Sequence, residues 1–184
     1  ILALLSACVP APTPDVDPDG DGIKTKHELK LGTDPDAPNP WHDPAFLKPT
    51  LGTLGLNGIF VRNYMQYVPD KTNYVQSYEE TSALRSGDSK DLALFVQANL
   101  THHQADAWTI EVHWNIQGDS FRGHGLPLVR RSDGWWYMSA DPQGLGRVYG
   151  PFERLESVAG SFEPRWERIV GVDPLGNPMP VILR

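Results

Sequence analysis

The stretch from Ala107 to Gln117 alternates more cleanly than any other part of this chain, and it dictates the architecture around it. Trp108, Ile110, Val112, Trp114 and Ile116 alternate with Thr109, Glu111, His113, Asn115 and Gln117. A period of two belongs to a β-strand, whose successive side chains point to opposite faces. Gly118-Asp119 supplies a turn, and Ser120 to Arg131 returns as a partner. Ser132-Asp133-Gly134 turns again, and Trp135 to Ser139 reads as a third strand. Strands joined this closely pair antiparallel, so the region is expected to form a meander with one apolar face.

Trp166 to Val172 and Pro180 to Leu183 flank Asp173 to Pro178 and read as a further hairpin. Its prolines cannot donate to a ladder, which places it at a sheet edge. Gly58 to Val68 reads as another strand. Residues 90–100 fit two patterns. Leu92, Phe95, Val96 and Leu100 make a helical stripe with Ser89 as N-cap, while Leu92, Leu94, Val96, Ala98 and Leu100 alternate as in a strand. The expected fold class is therefore α+β, an antiparallel meander sheet with one or two helices over residues 41–184. An all-β sandwich is the alternative.

Asp17-Pro18-Asp19-Gly20-Asp21-Gly22-Ile23-Lys24-Thr25-Lys26-His27-Glu28 satisfies D-x-D-x-D-G-x5-E, the ligand spacing of a calcium loop. Asp17, Asp19 and Asp21 can converge on one ion, Gly22 permits the sharp bend, and Ile23 can offer its carbonyl. Glu28 can close the shell with both oxygens. Thr25 to Leu31 reads as a short helix, ended by Gly32, with Pro35 preventing continuation. Pro10, Pro12, Pro14 and Pro18 leave no room for the incoming helix of a full EF-hand.

Followed by Gly32-Thr33-Asp34-Pro35, this half EF-hand resembles the thrombospondin type 3-like repeats of bacterial surface proteins. The resemblance covers about residues 15 to 36 and implies Ca²⁺ as the cofactor. With a single copy and no neighbouring repeat, the affinity expected is of the extracellular class, on the order of 10⁻⁴ to 10⁻³ M. Residues 82–96, Ser-Ala-Leu-Arg-Ser-Gly-Asp-Ser-Lys-Asp-Leu-Ala-Leu-Phe-Val, precede strands ending Leu-Pro-Leu-Val-Arg-Arg-Ser-Asp-Gly-Trp-Trp-Tyr-Met-Ser at 126–139. Together they resemble an NTF2-like domain, which implies a curved sheet forming a cup.

Ile1 to Ala7 reads as the end of a signal peptide, and Leu5-Ser6-Ala7-Cys8 matches the lipobox of bacterial lipoproteins. That resemblance implies a diacylated Cys8 as the mature N-terminus. Val9 after the Cys implies the outer membrane in a Gram-negative host. The chain has one Cys, so no internal disulfide can form and the thiol is free for lipid. More than one acyl chain is what stable anchoring needs. Residues 9–16 read as a Pro-rich spacer, and Asp34 to Pro44, with its four prolines, as a second semi-rigid connection. No other stretch is apolar for long enough to span a bilayer.

The net charge of −7, with no basic patch, excludes nucleic acid as a partner. His102-His103 falls at a turn, and His113 and His124 could face each other across the hairpin as a transition-metal pair. Glu111 with His113 could form an acid/base pair in a cup. The blander expectation, and the one favoured, is that these are solvated positions on the outer polar face of the sheet. Trp41 and Trp136, if exposed, could stack on sugars or seat a protein partner, although such rings more often simply cover loops or a sheet edge. No metalloprotease, nucleophile-elbow or dinucleotide motif occurs.

The function these features imply is a lipid-anchored surface protein with a calcium loop, binding or scaffolding in an envelope assembly. The alternative is a tethered enzyme with Glu111, His113 and His124 in a sheet-lined cup. A calcium-dependent joint is a third possibility.

Overall fold

A computed structural model describes residues 16–41, 43–69, 74–118, 120–173 and 177–184. The readings of Ile1 to Ala7 and Cys8 lie outside the described residues. The chain divides into two compact units, Ile1–Asn39 and Pro40–Arg184.

In the first unit the acidic loop leads into helix α1 (Thr25–Leu31). Gly32 ends it at φ 80°, a left-handed conformation that costs glycine little, and its N–H bonds the Glu28 carbonyl. Ile23, His27, Glu28 and Leu31 are buried.

The second unit is α+β, as expected. It runs through α2 (Pro44–Thr50), α3 (Leu54–Tyr64), β1 (Gln66–Tyr67), α4 (Tyr78–Leu84), β2 (Ser86–Gly87), α5 (Ser89–His102), β3 (Ala107–Gln117), β4 (Ser120–Arg131), β5 (Gly134–Met138), β6 (Val148–Phe152), α6 (Leu155–Phe162), β7 (Arg168–Val172) and β8 (Ile182–Leu183). Strands β3 to β8 form one antiparallel sheet in the order β6-β5-β4-β3-β7-β8, and β1 pairs in parallel with β2. The β3–β4–β5 meander stands where the alternation put it, and β8 is the edge strand of the C-terminal hairpin.

Both faces of this sheet are covered. On one, Ile110, Val112, Leu126, Leu128, Tyr137 and Ile169 pack with Val158 and Ala159 of α6 and with Trp166. On the other lies α5. Thr109 Oγ1 donates to Gln97 Oε1 (2.7 Å), and Ser89 Oγ accepts from the Gly125 N–H (3.0 Å). Helix α5 resolves the ambiguity of residues 90–100. Asp88 rather than Ser89 caps it, accepting from Lys90 and Asp91 N–H groups, while the Asp91 side chain reaches back to the Asp88 N–H.

Two expectations fail here. Gly58 to Val68 is not a strand, because α3 occupies most of it. Thr53 caps that helix, and its buried positions Leu54, Asn57, Gly58 and Val61 follow the helical spacing. Trp41 is not an exposed contact: it is 1 % exposed and stacks against Phe60 with ring centroids 5.8 Å apart. The stack continues through Phe95 to Tyr78. Beside it, Tyr78 donates to Asn99, Asn99 to Asn57, and Asn57 to the Leu51 and Thr53 carbonyls, so these buried amides are satisfied.

Candidate functional site

The acidic loop is wound by its own carboxylates. Asp17 accepts from the Gly20 and Gly22 N–H groups (2.9 and 3.0 Å), Asp19 Oδ1 from Asp21 N–H (3.1 Å) and Asp21 Oδ1 from Ile23 N–H (2.8 Å). Gly20 and Gly22 take φ of 76° and 91°, which only glycine adopts at little cost. The result brings one carboxylate oxygen from each of Asp17, Asp19 and Asp21 within 4.8 Å of the others.

Glu28 stands outside that triad but is fully buried. Its Oε1 accepts from Asn39 Nδ2 (3.1 Å), and Asn39 N–H also donates to Asp21 Oδ2 (2.9 Å). Two carboxylate oxygens, Asp19 Oδ2 and Glu28 Oε2, are buried without any donor. Burial, reinforced by the charges of Asp21 and Asp19, raises the Glu28 carboxyl above its ordinary range, and burial foremost does the same to Asp19. Buried, donor-free carboxylate oxygens are costly unless a cation or a proton neutralises them. The donor set is all oxygen, which suits a hard cation. The residues present therefore fit a divalent ion.

In the second unit the histidines do not form one site. The register pairs Val112 with His124 and His113 with Gly123, so the two rings lie on opposite faces and the bridging metal pair is ruled out. Nor is either solvated: His113 is 3 % and His124 6 % exposed. The outer polar face that the alternation implied is roofed by α5 and flanked by β7.

His113 Nδ1 accepts from Arg168 Nε and Nη2 (3.1 and 2.9 Å), and Nε2 lies 2.8 Å from Glu111 Oε2. Since arginine can only donate, the imidazole proton sits on Nε2 and is donated to Glu111. Burial works to raise the Glu111 carboxyl, but the His113 hydrogen bond with Lys90 and Arg168 nearby holds it below its ordinary range. Phe121 stacks on the same ring at 4.0 Å. Both ring nitrogens of His113 are thus engaged, and the ring is held between Glu111 and Arg168.

His124 is different. It stacks on Phe162 at 4.7 Å, and its Nε2 is buried with no hydrogen-bond partner. Burial pushes it down to about 4, against the opposing charges of Asp141 and Glu111, so the ring is neutral near pH 7. It borders an open groove of about 1110 Å³ that Trp114, Arg122, Tyr137, Asp141 and Arg147 also line. A neutral imidazole in such a place can take a proton or donate a hydrogen bond.

His103 hydrogen-bonds the Lys48 carbonyl (3.0 Å) at the end of α5. Trp136 is half-buried, donates to Asp133 Oδ1 (3.0 Å) and carries the Arg131 guanidinium over its ring. Sequence reasoning passed over Asn39, Arg168 and Asp141. Nothing local marks them, because each acts on a residue far away in the chain.

No helix among the described residues is long and apolar enough to cross a membrane. No protein-family profile matches this chain, and no curated protein matches it in sequence.

Proposed function

We propose that this chain is a lipid-anchored protein of the bacterial envelope whose N-terminal unit binds calcium and whose larger unit binds or scaffolds a partner there. The observation that carries the calcium reading is the pair of buried, donor-free oxygens, Asp19 Oδ2 and Glu28 Oε2, beside the Asp17–Asp19–Asp21 triad. Asp17, Asp19, Asp21 and Glu28, with the Ile23 carbonyl, would hold the ion. Calcium would supply the positive charge that four clustered carboxylates lack. The envelope address is supported by Leu5-Ser6-Ala7-Cys8 and by Cys8 being the single thiol.

Calorimetric titration of the full chain in detergent tests the first part. One-site calcium binding, lost in Asp17→Asn, is expected; no heat beyond dilution at millimolar calcium overturns it. Cys8→Ser is expected to move the protein from the membrane to the soluble fraction.

A second reading, an acid/base site in the sheet-lined groove, is favoured by one observation, the buried and unpartnered Nε2 of His124. A neutral His124 is poised as a proton acceptor there. The two readings part at this residue. Under the first, His124→Asn leaves partner binding intact; under the second, it abolishes turnover.

A further inference from the structure

We infer that Asn39 seats Glu28 for the cation and ties the segment from Asp34 to Asn39 onto the loaded loop. This rests on the calcium reading above and adds a positioning residue to it.

Asn39 touches two of the ligand residues at once. Its backbone N–H donates to Asp21 Oδ2 (2.9 Å), and its Nδ2 donates to Glu28 Oε1 (3.1 Å) and to the Ala37 carbonyl (2.9 Å). The amide orientation is fixed by chemistry. Turned over, it would set Oδ1 against two acceptors, and neither could donate to it. Thr33 Oγ1 reaches Glu28 Oε1 only at 3.5 Å, so Asn39 is the closer of the two holds on that oxygen. With Oε1 engaged, Oε2 is the Glu28 oxygen left without a donor.

This arrangement has a consequence for the ion. Without a cation, Asp21 and Glu28 repel each other across the residue that joins them. With one, their repulsion is screened and both acceptors of Asn39 are drawn together. Occupancy of the loop is thereby transmitted to residues 34–39, which have no helix or strand to hold them. Donors to ligating carboxylates are worth about 10- to 100-fold in metal affinity.

The test is calcium titration with hydrogen exchange on the full chain in detergent, wild type against Asn39→Ala. In wild type, calcium should bind at one site and slow exchange over residues 33–39. In Asn39→Ala the dissociation constant should rise about tenfold. At saturating calcium the loop and α1 should still be protected, while residues 33–39 exchange as in the calcium-free protein. An unchanged affinity and retained protection in Asn39→Ala would overturn the inference while leaving the calcium reading intact. Wild type that binds no calcium overturns both. Asn39→Ser, with a shorter donor, guards against a merely misfolded variant. Affinity between those of wild type and Ala supports the role, and affinity equal to wild type opposes it.

Discussion

His113 and His124 project from opposite faces of one sheet, because β3 and β4 set Val112 against His124 and His113 against Gly123. One ring is tied into a relay under α5. The other borders a groove beside α6, and its Nε2 is buried without a partner. The same residue type therefore has two different physical roles, and each can be tested.

Replacing His113 with Ala should destabilise the larger unit by about 2–4 kcal/mol, since Glu111 and Arg168 would lose their common partner in a buried place. His113→Gln, which keeps a donor and an acceptor, should recover part of the loss. Urea denaturation at neutral pH measures both.

His124 makes stability depend on pH. Its folded value of about 4 lies below the ordinary 6.5, so the unfolded chain binds the proton more readily. The stabilisation is complete above pH 6.5 and is lost as pH falls towards 4. The total is roughly 3 kcal/mol. His124→Asn should flatten the stability profile over that window in urea melts at stepped pH.

Gly125 admits no side chain. A Cβ there would stand 2.7 Å from the Ser89 carbonyl oxygen and 2.9 Å from Lys90 Cα, both backbone atoms of α5. Gly125→Ala should push α5 off the sheet and cost about 2–4 kcal/mol. Gly118→Ala, with nothing within 4 Å of its Cβ but φ of 61°, should cost about 1 kcal/mol. Thermal melts of the two variants give the comparison.

At 10 mM calcium, an affinity on the order of 10⁻⁴ to 10⁻³ M should stabilise the N-terminal unit by about 1.4–2.7 kcal/mol. Glu28→Gln should reduce that gain, because one of the two donor-free oxygens loses its charge. It should also slow exchange in the calcium-free loop by relieving repulsion. Hydrogen exchange of residues 17–31 with and without calcium reads out both effects.

The meander was legible because alternation, turns and strand lengths are local: Ala107–Gln117 and Ser120–Arg131 stand at the limits the residues implied. Helix α1 and its Gly32 terminus were legible for the same reason. The misreading of Gly58 to Val68 came from a segment with glycine, β-branched and aromatic residues but no clean period. There Thr53 and the packing of Phe60 between Trp41 and Phe95 decided for helix. Nothing local to Trp41 showed that its ring would be buried, because its partner Phe60 lies on a helix further along the chain.

Sequence alone determined the strand periodicity, the turns and the spacing of the carboxylates in the acidic loop, because each follows from the conformational preferences of neighbouring residues. Only the tertiary structure decided which face of the sheet α5 would roof. It also paired Arg168 with His113, left the Nε2 of His124 without a partner, and brought Asn39 onto Glu28. Those outcomes depend on contacts between residues distant along the chain, and on which polar atoms packing happens to cut off from water.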